Sequence, residues 1–243
     1  MTAREPTILA TSGGFRRGER NYLAFGPLIH HALELSGASG TPRLCSIETA
    51  GGDQRSFQAQ VMSAGQAEGV TVRPLSLFPM PSEDDVTGFL LDHDVVWVGG
   101  GSVANLLALW RLHGWDAALR TAWEAGVVLA GVSAGSICWH VGGVTDSYGP
   151  DLQPVTNGLG FLPFGNGVHY DSEAQRRPLV QKLVGEGVLP RTHATEDGVG
   201  LVYRGTELVE AVSEVPGKQA YVVRRDGNRA IEEPLETRLL PSR

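Results

Sequence analysis

Val127-Val128-Leu129-Ala130-Gly131-Val132-Ser133-Ala134-Gly135-Ser136-Ile137-Cys138-Trp139 is the stretch on which the fold turns. Val127–Val132 is an unbroken apolar run of strand length, suited to the interior of a parallel sheet covered on both faces. It leads through Gly131-Val132-Ser133-Ala134-Gly135 into an amphipathic helical pattern. A G-x-S-x-G at a strand-to-helix junction is a nucleophile elbow. Its glycines let strand and helix pack closely, and the strained turn lifts the serine hydroxyl above the carboxyl edge of the sheet. The N–H of Ala134 then points to where an oxyanion would form, and the helix N-terminus adds positive potential there. Cys138, on the following helix, reads as a small buried apolar residue.

Outward from this stretch, strand and helix patterns alternate. Thr7–Thr11, Arg43–Thr49, Val70–Phe78 and Asp94–Val98 read as strands. Asn21–Leu35, Asp53–Ala67, Ala104–Leu112 and Trp115–Ala125 carry helical spacing, and a further helix starts near Asp84-Asp85. Past residue 140 the pattern changes to Gly/Pro-rich loops and short strands. A helix follows at Arg177–Val184, and then hairpin-like segments at Gly198–Tyr203, Leu208–Val212 and Ala220–Arg225. This predicts an α/β fold with a doubly wound, mostly parallel sheet and a C-terminal β-hairpin region, as a single domain over residues 1–243.

The 243 residues carry a net charge of −7, which argues against a general nucleic-acid surface. Cys45 and Cys138 are too few for a disulfide scaffold and form no CxxC. Arg4, Glu5 and Pro6 precede only a short apolar run, which reads as a first strand and not a signal peptide. No run of about 18 apolar residues occurs. The expectation is a soluble cytoplasmic protein, a monomer or homodimer, with no membrane partner. No metal-ligand spacing or cofactor motif appears. Val95–Ser102 ends in Gly99-Gly100-Gly101 but matches neither phosphate-binding glycine motif. The loop is better read as the second oxyanion donor, through Gly100 or Gly101.

Of the seven histidines, His30 and His31 are adjacent on a helix, and His93 and His113 read as cap or surface residues. His140 lies beyond the nucleophile helix, and His193 is in a polar loop. His169, ending the glycine-flanked strand Phe164-Gly165-Asn166-Gly167-Val168-His169, is the best candidate base. Two acids, Asp146 and Glu196, compete to orient it.

Together, the Gly99-Gly100-Gly101 loop, the Gly131–Gly135 elbow, His169 and Thr195-Glu196-Asp197-Gly198 resemble the peptidase E (aspartyl dipeptidase) family of serine peptidases, which also includes cyanophycinases. The resemblance runs from Thr7 to about Val212. It implies a fold like the class I glutamine amidotransferases, with serine in place of their cysteine, and a Ser–His–acid site. The dipeptidase branch maps the acid to Asp146 and the cyanophycinase branch to Glu196. The chain departs from the family at Ser102-Val103, where Asn-Thr is usual. At the arginine that holds a substrate aspartate, the nearest match is Glu173, with Arg176 and Arg177 one turn later.

The function expected is hydrolysis of short peptides, those with an N-terminal aspartate included. Ser133 is the nucleophile, His169 the base, and Ala134 with Gly100 or Gly101 the oxyanion donors, while Arg176 or Arg177 pairs with a substrate carboxylate. The alternatives are an α/β-hydrolase-type esterase, disfavoured by the short chain after Ser133, and a catalytically silent amino-acid- or peptide-binding module.

Overall fold

The computed structural model describes residues 5–19 and 21–242, so Arg4 of the N-terminal stretch lies outside the described residues. The strands are β1 (Thr7–Thr11), β2 (Phe15–Arg16), β3 (Ala24–Phe25), β4 (Arg43–Ile47), β5 (Thr71–Pro74), β6 (Val95–Val98), β7 (Val128–Val132) and β8 (His140–Thr145). They continue with β9 (Gln153–Val155), β10 (Leu162–Gly167), β11 (Thr192–Thr195), β12 (Val199–Arg204), β13 (Glu207–Ser213), β14 (Ala220–Asp226), β15 (Arg229–Leu235) and β16 (Thr237–Leu239). The helices are α1 (Pro27–Ser36), α2 (Arg55–Ala67), α3 (Val86–Leu91), α4 (Val103–His113), α5 (Trp115–Glu124), α6 (Ala134–Ile137) and α7 (Arg176–Glu186).

The main sheet runs β16-β13-β12-β1-β7-β6-β4-β5. Its half from β1 to β5 is parallel throughout, and β12 and β13 add to it antiparallel. Side chains alternate between two cores. Ile8 and Ala10 of β1 face one, Leu9 the other; Val96 and Val98 face the first, Trp97 the second. With helices on both faces the inner strands are buried on both sides, which is why β6 and β7 read as continuous apolar runs. Each such Val or Leu, fully buried, is worth about 1.5–3 kcal/mol.

The sequence pattern predicts one main sheet with hairpins appended; the chain builds two large sheets besides the β2–β3 hairpin. The segments after residue 140 assemble a second, six-stranded sheet in the order β15-β14-β11-β10-β8-β9. One of its faces shares the core that holds Trp139, Phe161, Leu162 and Val168 with the main sheet. The other packs under α7, through Val180, Leu183 and Val184. Of these strands β8, β9, β10 and β11 are short, and β8 and β10 are also glycine-rich, so they lack the apolar alternation that marks a strand in isolation.

Two further corrections concern helices. The helix expected from Asn21 begins only at Pro27, because Ala24–Phe25 pairs with Phe15–Arg16 as a small hairpin and Pro27 opens the helix at its first turn. The helix after Ser133 is a single turn, since the chain re-enters a strand at His140. The expected helix-dipole contribution at Ser133 is therefore dropped.

The crossing of β7, β6 and α6 is close enough to exclude side chains. A Cβ at Gly135 would stand 2.1 Å from the Val98 carbonyl oxygen, and one at Gly131 would stand 2.5 Å from the Gly135 carbonyl oxygen. Gly135→Ala must therefore push backbone against backbone. Urea unfolding should register a loss of about 1–3 kcal/mol, or failure to fold.

Candidate active site

The site residues converge at the carboxyl ends of β1, β4, β6 and β7, where open α/β sheets bind ligands. Ser133 follows β7 at φ 57° and ψ −112°, a conformation that non-glycine residues adopt rarely. The turn is held from both sides. The Ser133 N–H donates to the Thr11 carbonyl at 3.1 Å, and the Ser133 carbonyl accepts from the N–H groups of Ser136 and Ile137. Ala134, at the first position of the one-turn helix, has an N–H with no intrahelical acceptor.

The glycine loop after β6 separates into distinct roles. A Cβ at Gly100 would approach the Ser133 Cβ to 3.3 Å, so this residue faces the serine. A Cβ at Gly101, where φ is +133°, would strike the Ala50 carbonyl oxygen at 2.3 Å. Glycine at 101 thus serves backbone packing, and Gly100 is the member of the pair that meets Ser133.

His169 lies just beyond β10 at φ 52°. Its N–H donates to the Ser12 hydroxyl at 3.1 Å, and that hydroxyl also meets the Thr195 hydroxyl at 2.7 Å. Thr11 and Ser12, successive residues at the end of β1, thus hold the backbones of Ser133 and His169 respectively. The ring Nδ1 of His169 lies 2.6 Å from Oδ1 of Asp197. A carboxylate there favours the tautomer of the neutral ring that carries its proton on Nδ1.

Neither acid expected to orient this ring does so. Asp146 is an exposed residue after β8, lining a cleft with Gly149, Pro150, Leu152 and Glu173. Glu196 turns the other way, accepting from the Gln219 N–H and the Tyr221 hydroxyl, both at 3.0 Å. Asp197 takes the position instead, its own N–H donating to Asp171 at 2.9 Å. The expected substrate-holding arginines are also committed elsewhere. Arg176 is buried and bonds the Val144 carbonyl and the Glu173 carboxylate. Arg177 pairs with Glu232 over the rings of Tyr170 and Tyr221. Sequence reasoning missed Thr11, Ser12 and Asp197. Only Asp197 had a visible signal, as the neighbour of Glu196 on a segment already singled out.

One further acid stands at this edge. Glu48 follows β4 and is only 4% exposed. Its Oε1 accepts from the Ser46 hydroxyl at 2.7 Å. Burial pushes its pKa up to about 7, with Asp53 adding to the rise and the Ser46 hydrogen bond opposing it. Among the described residues no group of three or more His, Cys, Asp or Glu side chains is arranged to hold a metal ion, and no helix is long and apolar enough to cross a membrane.

The Glu48 shift has a consequence for stability. The folded carboxyl holds its proton more tightly than an unfolded one at 4.5, so the native state loses stability as pH rises from there to about 7. Glu48→Gln lacks this loss. Unfolding titrations at pH 4.5 and 8 should therefore show the variant gaining roughly 3 kcal/mol on the wild type across the window.

Comparison with known proteins gives the family and the fold. The profile of peptidase family S51 matches residues 8–211. A Bacillus subtilis (strain 168) protein named uncharacterized peptidase YgaJ is 41% identical over 199 residues, covering 82% of this chain and 85% of that protein. Two solved structures share the fold. One is a peptidase from an acI-B1 Actinobacterium, with TM-score 0.67 and 17% identity over 100% of this chain and 97% of the other. The other is a Listeria monocytogenes EGD-e protein assigned provisionally as peptidase E, with TM-score 0.59 and 19% identity over 84% and 96%. With an S51 match across most of its length, and a serine held at positive φ between strand and helix, this chain belongs to peptidase family S51, the serine peptidases that include peptidase E.

Proposed function

We propose that this serine peptidase hydrolyses short peptides, dipeptides among them, through an acyl-enzyme on Ser133. The observation that carries the proposal is the pairing at the end of β1. Thr11 holds the Ser133 backbone, Ser12 holds the His169 backbone, and Asp197 pairs with Nδ1 of His169, which leaves Nε2 for the chemistry. In this arrangement Nε2 of His169 takes the proton from the Ser133 hydroxyl as Oγ attacks the scissile carbonyl. Asp197 holds the tautomer and stabilises the imidazolium. The N–H groups of Ala134 and Gly100 face the developing oxyanion; a donor of this kind is worth about 10²–10³ in turnover. His169 then passes its proton to the leaving amine, and water resolves the ester by the same route.

Selectivity for an N-terminal aspartate requires a cation facing Ser133. Arg176 and Arg177 are engaged with Val144, Glu173 and Glu232, and Lys218 pairs with Asp171. We therefore read the enzyme as accepting short peptides without a strict aspartate requirement. Cys45 and Cys138 are buried free thiols, which suits work in the cytoplasm.

The test is a panel of X-Leu dipeptides and X-anilides, with X as Asp, Glu, Asn, Ala and Lys. Ser133→Ala should abolish turnover, and Asp197→Asn should lower kcat by about 10²–10⁴. Asp146→Asn and Glu196→Gln should stay within about threefold of wild type. Binding of dipeptides by the wild type without turnover would instead identify a silent peptide-binding module.

A further inference from the structure

The chemistry assigned to Ser133, His169 and Asp197 leaves Glu48 idle, although it stands on the same edge. Its carboxylate lines a cleft of about 210 Å³ with Gly51, Gln54, Phe57 and Gly100, and it is the one charged residue among them. Oε1 is taken by the Ser46 hydroxyl, while Oε2 takes no hydrogen bond among the described residues. Oε2 lies against Gly99, where an added Cβ would sit 1.9 Å from it. Gly99 and Gly100 thus form a two-residue bridge, with the Glu48 carboxylate at one end and Ser133 at the other. Through that bridge the two side chains are at most about 12 Å apart.

A carboxylate that is almost wholly buried, unpaired on one oxygen and open to a cleft asks for a positively charged partner. We infer that Glu48 is the subsite that receives an ammonium group of the peptide substrate, an assignment that rests on Ser133 being the peptidase nucleophile. With the scissile carbonyl at Ser133 and an ammonium nitrogen at Glu48, both lying on the line between the two side chains at contact distance, a span of up to about 6 Å joins those two substrate atoms. The α-ammonium of a short peptide and the side-chain ammonium of a lysine both fit that span. Phe57, packed edge-on against Phe15, gives the cleft an apolar wall. The groups facing Glu48 do not offer the cation themselves, since they are Ser46, which donates a hydrogen bond, and Asp53, which repels. The arriving ammonium holds the Glu48 carboxyl in its ionised form.

The experiment compares kcat/KM for Ala-Leu, N-acetyl-Ala-Leu, Lys-Leu and N-acetyl-Lys-Leu on wild type, Glu48→Gln and Glu48→Asp. It also measures calorimetric binding of alaninamide, lysinamide and their N-acetyl forms to the Ser133→Ala protein with Glu48 intact or replaced by Gln. The expected result is a preference of about 10–100-fold for the substrate carrying the ammonium, lost in Glu48→Gln and partly kept in Glu48→Asp. Loss of the preference on acetylation of Ala-Leu identifies the α-ammonium as the partner. A preference for lysine that survives acetylation identifies the side chain. Hydrolysis that is indifferent to acetylation, to lysine and to Glu48→Gln overturns the assignment and leaves the peptidase standing. If the wild type hydrolyses nothing while Ser133→Ala binds the free amines through Glu48, the subsite stands and the dipeptidase proposal falls. If neither hydrolysis nor binding depends on Glu48, the subsite is refuted.

Discussion

Backbone against backbone, with no room for a Cβ, is the constraint on which the catalytic edge depends. Gly131 and Gly135 bring the end of β7, the single turn of α6 and the Val98 carbonyl into contact that any side chain would break. Ser133 lies between those glycines and is forced to φ 57°. A residue in that region costs about 1–3 kcal/mol and persists only where its surroundings over-determine it. Here the Thr11 carbonyl accepts its N–H, and two successive N–H groups of α6 converge on its carbonyl. The strain exposes the hydroxyl at the edge of the sheet, and the same β1 terminus, one residue later, sets the position of His169 through Ser12.

Behind this edge, the apolar interior between the two sheets encloses a small polar network. The Tyr203 hydroxyl lies 2.8 Å from Nδ1 of His193 and 3.4 Å from Nε2 of His140, and His140 Nδ1 lies 2.9 Å from the Ser136 carbonyl. The Ser136 hydroxyl in turn meets the Asn166 side chain at 3.1 Å. Burial lowers the pKa of His140 to about 3 and that of His193 to about 4. Both are neutral packing elements at physiological pH, tying α6 to the second sheet. His169 differs because it keeps access to solvent and pairs with a carboxylate, the two conditions a general base needs.

Charge at the edge follows the same division between structure and chemistry. The arginines nearest the site serve the fold. Arg176 donates to the Val144 carbonyl, and Arg177 anchors α7 to β15 through Glu232. Glu48, on one flank of the glycine loop, is the carboxylate that lines the cleft, while Asp197 is taken up behind His169.

The parallel half of the main sheet, the Gly131–Gly135 turn around Ser133 and the glycine loop after β6 were legible from the chain alone. Each is local: a buried strand, the turn after it and the glycines it requires lie within a dozen residues, so their pattern survives without tertiary context. The second sheet was not legible, because β8, β10 and β11 are short, and β8 and β10 are also rich in glycine; all are stabilised by neighbours distant in sequence. The partner of His169 was not legible either. Glu196 and Asp197 are adjacent in the turn between β11 and β12, which sends one toward Tyr221 and the other toward the imidazole. The choice between them is a matter of which face meets β14 and which meets β10. Only the packing of the two sheets sets that.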